Sequence, residues 1–218
     1  MTVNSNTNPS AAGAGRLAIY VCMAYTTAMS ALPAEKEEPH FTYADYKEWE
    51  LDEGERFEII DGEAYAMSAP SAEHQAILIA LASQLYNFLD GKPCEVYPAP
   101  YDVRLFYEED ESDDTVVQPD IVVVCDEKKR GDEGCRGAPD LVVEILSPSN
   151  SAIEMERKLN LYREAGIKEY WVVDPENKRV AVYCFLKGAV TYNTFKSSDS
   201  VPVTTLPGLV ITLEKVFR

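Results

Sequence analysis

A mixed α/β (α+β) fold, a β-sheet flanked by helices, is the class that this 218-residue sequence predicts. Three observations lead there. Short β-rich runs alternate with two long segments of helical periodicity. The hydrophobic share is 46% and the charged share 26%, the balance of a globular domain and not of a disordered or fibrous chain. The order of elements is helix, hairpin, helix, several strands, helix, strands. The length suits one core with a full sheet, and a second large domain would be crowded.

The folded part is expected over residues 40–218, as a single domain. Residues 1–39 read as an extension that is disordered or poorly packed, because the first fifteen are rich in Asn, Ser, Ala and Gly. Within it, LAIYVCMAYTTAMSALPA (17–34) is apolar and follows a lone Arg16. A weak secretory segment is one reading. A spanning helix fits less well, because Thr26, Thr27 and Ser30 interrupt the run and Pro33 breaks it. The preferred reading starts translation at Met29 and leaves the upstream residues dispensable.

From His40 onward each element has a local reason. Thr42 can cap a short helix reaching Glu50. RFEIIDGEAYAMS places β-formers on both sides of Asp61-Gly62, the strongest short hairpin signal in the chain. Ser71 opens the longest helix, and Ile77, Leu78, Leu81, Leu85 and Phe88 recur on one face until Gly91 closes it. His74, in the first turn, reads as structural. CEVYPA and YDVRLFY are strand-like, EEDESDD reads as a solvated turn, and VVQPDIVVVC reads as one strand interrupted by Pro119. DEKKRGDEGCRG reads as a charged loop before the strand PDLVVEILS. Residues 151–165 form a helix ended by Gly166. Strands EYWVVDP, KRVAVYCF and AVTYNTF follow, with turns at Asp174-Pro175 and Lys187-Gly188, and a last short helix is expected after Thr212.

The formal net charge of −17 opposes nonspecific attraction to nucleic acid or anionic lipid. Phosphate binding would need local clusters of Lys and Arg, for which Arg104, Lys128, Lys129, Arg130, Arg157 and Arg163 are the candidates. Five cysteines with no CxxC pair indicate neither a disulfide framework nor a zinc knuckle. Cys125 and Cys184 read as buried thiols, and the compartment as reducing and cytoplasmic. No partnership with a membrane is expected.

Four residues carry the candidate chemistry. Glu144 interrupts the apolar strand LVVEILS. A lone carboxylate there costs several kcal/mol or takes up a proton unless a metal, a lysine or an arginine compensates it. The ordinary alternative is a buried salt bridge or a strand-edge Glu that reaches water. Asp120 interrupts VVQPDIVVV, and two carboxylates on adjacent strands suit Mg²⁺ or Mn²⁺. Lys158 borders the apolar face Met155, Leu159, Tyr162 and Ala165, so it either reaches inward or pairs with Glu154 at the surface. Glu58 alternates with Phe57 and Ile59, either as a solvent-facing Glu or as a third acidic ligand.

The series RFEIIDGE, QPDIVVV, PDLVVEILSPS, a helix with Lys158 and Tyr162, then AGIKEYWVVDP resembles the Uma2 family, described as a restriction endonuclease domain of the PD-(D/E)xK nuclease superfamily. The resemblance spans residues 40–190. It implies a restriction-endonuclease-like core, a mixed sheet flanked by helices. It also implies metal-dependent hydrolysis of DNA phosphodiester bonds. On this reading Asp120 is the first acid and Glu144 the second, with Glu58 completing a Mg²⁺ or Mn²⁺ site. The usual lysine position after the second acid is Leu146, which cannot serve, and Lys158 on the next helix takes the role. Glu154 stands where relatives often have Asp. Asp140 looks like a residue that starts its strand. Pairing into a homodimer is a further implication of the superfamily. The rival expectation is a catalytically silent interaction module on the same fold, which the chain's acidity favours.

Overall fold

In the computed structural model, which describes residues 39–148, 152–186 and 188–218, the first element is helix α1 (Tyr43–Lys47). Thr42 Oγ1 accepts from Asp45 N, and the Asp45 carboxylate accepts from Thr42 N. That reciprocal cap fixes the start as expected. The helix stops at Lys47 and does not reach Glu50. Apart from Pro39, the expected N-terminal extension lies outside the described residues.

Strands β1 (Phe57–Ile60) and β2 (Glu63–Ala66) make the predicted hairpin. Asp61 and Gly62 both have positive φ, 52° and 78°, the conformation that the Asp-Gly turn supplies. Helix α2 (Ala72–Leu89) is capped by the Ser71 side chain and ends just before Gly91. Then come β3 (Glu95–Pro98), β4 (Val103–Arg104), β5 (Val116–Val117), β6 (Ile121–Val124), β7 (Arg130–Gly131), β8 (Gly134–Arg136) and β9 (Leu141–Ile145). Helix α3 (Ala152–Ala165) links β9 to its parallel neighbour β10 (Glu169–Asp174). The antiparallel β11 (Arg179–Leu186) and β12 (Ala189–Lys196) follow, and β13 (Ser200–Pro202) pairs with β14 (Val210–Thr212). The expected last helix is a single 3₁₀ turn, Leu213–Lys215. Of the Lys187-Gly188 turn, Lys187 lies outside the described residues.

Besides the β13–β14 pair, the strands of the described residues are shared between two six-stranded sheets. The central sheet runs β12-β11-β10-β9-β6-β3 and the second runs β2-β1-β5-β4-β8-β7. The run VVQPDIVVVC therefore does not form a single interrupted strand. Its first half pairs with β1 in the second sheet and its second half with β9 in the central one. Pro119, which has no N–H to give to a ladder, stands at the change of sheet. The charged stretch after β6 is also more ordered than a loop, since β7 and β8 pair within it.

The inner strands of the central sheet, β6, β9 and β10, are buried on both faces, as the apolar runs require. Ile121, Val123, Leu141, Val143, Ile145, Trp171 and Val173 pack with α2. Val122, Val124, Val142, Tyr170 and Val172 face α3 and the second sheet. Alternation along β9 therefore turns Glu144 toward α3.

The cysteine expectation is overturned in part. Register sets Glu95 opposite Val124, which brings Cys94 beside Cys125, and these two form a disulfide. Cys184 and Cys135 are buried free thiols. The cysteine argument for a reducing compartment falls with this pairing. Among the described residues no helix is long and apolar enough to cross a membrane.

Candidate active site

The four candidate residues arrive from four elements. Glu58 comes from β1 in the second sheet, Asp120 from the residue before β6, Glu144 from β9 and Lys158 from the second turn of α3. Continuing the β6–β9 register past Ile121↔Val143 places Asp120 opposite Glu144. Side chains opposite one another on antiparallel strands lie on one face within about 5 Å at Cβ.

Lys158 decides between the two readings of its helix. It is buried, only 8% exposed, and its ammonium lies 3.0 Å from Glu144 Oε1 and 3.0 Å from each oxygen of Glu58. The α3 face is thus wider than the apolar residues alone define, with Lys158 buried alongside Leu161 and Tyr162. Tyr162 donates to Glu144 Oε1 at 2.5 Å. Gln118 N donates to Glu58 Oε1 at 3.0 Å. The Gln118 amide in turn donates to Tyr46 and Asp102, at 3.1 and 2.7 Å. Asp120 Oδ2 accepts from Ile145 N at 2.7 Å and meets His74 Nε2 at 3.2 Å.

Two of these partners escaped the sequence reading. His74, read there as structural, contacts Asp120. Its position three and four residues before Ile77 and Leu78 puts it on the inward face of α2, and that was the available signal. Gln118 gave no signal, because its backbone N–H meets Glu58 only through the pairing of β1 with β5. Asp140 braces its strand, accepting from Cys125 N at 2.7 Å and pairing with Lys168.

Electrostatics follow from burial. Desolvation pushes the Glu144 carboxyl up to about 7; Lys158 pulls it down, Glu58 and Asp120 push it further up, and the Tyr162 hydroxyl lowers it. Burial lowers the Lys158 ammonium, but Glu144 and Glu58 outweigh this and hold it above the ordinary lysine range. The Asp120 hydrogen bond raises His74 against the pull of desolvation. Glu144 therefore holds its proton more tightly in the folded chain than in the unfolded one. Stability falls as pH rises from about 4.5 to about 7, by about 2 to 3 kcal/mol from this group. The expected result is that Glu144→Gln gains stability relative to wild type by that amount between pH 5 and pH 8, read by urea unfolding. A gap that does not change with pH would contradict the assignment.

For a divalent cation the donor chemistry fits in part. Among the described residues Asp120 Oδ1 and Glu144 Oε2 lie outside this hydrogen-bond network, and they are hard oxygens on neighbouring strands. Glu58 has both oxygens on Lys158, and among the described residues no three His, Cys, Asp or Glu side chains form a group that would hold a metal ion. The basic candidates are partly committed elsewhere. Arg104 is buried on Asp113, Arg130 bonds Glu95, Lys129 bonds Ala138 O and Arg157 stacks on Tyr65. Asp113 is buried as well, so EEDESDD is not simply a solvated turn.

Comparison with known proteins gives the chain its relatives. The model of the family described as "Uma2: Putative restriction endonuclease" matches residues 43–214. The chain belongs to the Uma2 family. Among curated proteins it is similar to "Uncharacterized protein slr1290" of Synechocystis sp., 30% identical over 146 residues, covering 66% of this chain and 74% of that one. A second Synechocystis protein, "Uncharacterized protein sll1609", is 29% identical over 145 residues, covering 65% and 79%. Among solved structures, a "putative nuclease belonging to DUF820" from Anabaena variabilis aligns with a TM-score of 0.64 at 22% identity, covering 81% of this chain and 97% of that one. At that identity the likeness establishes the fold. It is the mixed α+β nuclease-like architecture expected of a Uma2 chain.

Proposed function

We propose that this Uma2 chain is a metal-dependent endonuclease that hydrolyses phosphodiester bonds in DNA. The observation that carries the reading is Lys158, turned inward onto Glu144 on the face that Asp120 shares. Asp120 through Oδ1 and Glu144 through Oε2 would hold Mg²⁺ or Mn²⁺. When bound, such an ion supplies Lewis-acid stabilisation of charge on a phosphate.

The chain's own groups do the rest. Ile145 N and His74 hold Asp120 Oδ2, which fixes where the other oxygen points. Tyr162 and Lys158 do the same for Glu144 through Oε1. Lys158 brings a positive charge, sheltered from water, to the place where a phosphoryl group gains negative charge or an attacking water is oriented. Glu58, gripped by Gln118 N, holds the ammonium there. In this arrangement Glu58 positions Lys158, and a direct ligand role for it rests on family resemblance alone.

The test is cleavage of plasmid DNA by wild type and by Glu144→Ala, with Mn²⁺ and with EDTA. Wild type is expected to cut only with the metal, and the variant to be silent in both. Equal cutting by the two proteins, or none by either, would favour the second reading, an interaction module without catalysis. The net charge of −17 and the commitment of Arg104, Lys129 and Arg130 to internal partners favour that alternative.

A further inference from the structure

Strand β12 is the outermost strand of the central sheet, and every residue in it except Phe195 is exposed. Val190 and Tyr192 are 53% and 58% exposed, large apolar side chains on an open edge. The Tyr192 ring lies 4.9 Å from that of Tyr183, which stacks on Tyr170. Edges of this length are ordinarily guarded by charge, proline or a bulge. This one carries a single charge, Lys196.

The free backbone groups can be assigned from register. Leu186 pairs with Ala189 across a two-residue connection, and such a closing pair exchanges both hydrogen bonds. Ala189, Thr191, Asn193 and Phe195 thus bond toward β11. The N–H and C=O groups of Val190, Tyr192 and Thr194 point outward, and among the described residues they have no backbone partner. The next outward N–H, that of Lys196, is taken by Asp199 at 2.7 Å, which ends the free run.

We propose that β12 pairs antiparallel with β12 of a second copy of this chain, across a two-fold axis at Tyr192. Charge limits where a second copy can approach. The chain carries 37 acidic residues and a net charge of −17, so two copies repel over most approaches. Strands β11 and β12 contain no acid at all, and their two cations, Arg179 and Lys196, sit opposite each other at one end. Antiparallel pairing sets Lys196 beside Gly188 of the second copy, far from its like, whereas parallel pairing would stack the lysines. Register closes as well. With Tyr192 opposite Tyr192, Val190 meets Thr194 in both directions, and all the outward groups of these three residues find partners. The central sheets of the two copies become one continuous sheet. This interface does not depend on the nuclease reading.

Sedimentation of the full chain tests it. Wild type is expected to run at twice the chain mass at micromolar concentration. Tyr192→Lys, which sets two cations face to face on the axis, is expected to run as a monomer with unchanged circular dichroism. As a second route, Tyr192→Cys is expected to give a covalent dimer under mild oxidation beyond any that wild type forms, since opposed residues of a hydrogen-bonded pair lie about 5.5 Å apart at Cα. A wild-type monomer overturns the proposal. So does a dimer that survives Tyr192→Lys. If Tyr192→Lys fails to fold, absence of the Tyr192→Cys cross-link overturns it.

Discussion

Lys158→Met is expected to destabilise the chain by about 3 to 5 kcal/mol at pH 8 and by much less at pH 5. Methionine keeps the length and the apolar stem of lysine, so packing along α3 changes little. What goes is the cation that bridges Glu58 and Glu144, 3.0 Å from an oxygen of each. Two buried carboxylates are then left without a compensating charge, and Glu144 favours its proton still more in the folded state. A carboxyl with a raised folded pKa lends stability at low pH and loses it as pH rises. Glu144 is already pushed up to about 7 with Lys158 present, and loss of the cation drives it higher. The penalty therefore grows between pH 5 and pH 8. Urea unfolding of variant and wild type at both values reads it directly. An equal loss at the two values would mean that packing, and not charge, carries the effect.

Arg104→Met is expected to cost a similar 3 to 5 kcal/mol, lowering the unfolding midpoint by about 10 °C. Arg104 holds the buried Asp113 by two hydrogen bonds, one of them 2.9 Å from Nε, and donates to Glu108 O at 2.7 Å. Its guanidinium lies 4.0 Å from the Tyr43 ring centre and 4.4 Å from that of Tyr107. Removal strands Asp113, whose side chain has no exposed surface, and frees the acidic stretch that this residue anchors. The double variant Arg104→Met with Asp113→Leu removes both charges and is expected to recover part of the loss. Thermal unfolding of the two single variants and the double variant closes the cycle. A loss below about 1 kcal/mol for Arg104→Met would show that the pair contributes no more than an exposed one.

Much of the candidate site was legible because apolar alternation makes charge conspicuous. Glu144 stands out in LVVEILS, Asp120 in VVQPDIVVV, and Lys158 on the margin of an apolar helical face. The features that stayed hidden depend on pairing between strands distant in sequence. Asp113 sits in a run of acids that reads as solvated until β4 supplies Arg104. The Cys94–Cys125 bond follows from the β3–β6 register and from no spacing rule. The hold of Gln118 on Glu58 needs β5 beside β1, and the sequence around Pro119 reads as one strand until its halves are seen in separate sheets.

That division at Pro119 makes the candidate site a seam. Gln118 belongs with the second sheet and Asp120 with the central one, a single proline apart, while Glu58 and Glu144 hang from opposite sides and meet on Lys158. One ammonium group is therefore a rivet between two sheets as well as a charge in a pocket. Any sliding of one sheet against the other is felt first as a change in the Glu58–Lys158–Glu144 bridge. Whatever draws Lys158 toward a new anion loosens the seam in the same motion.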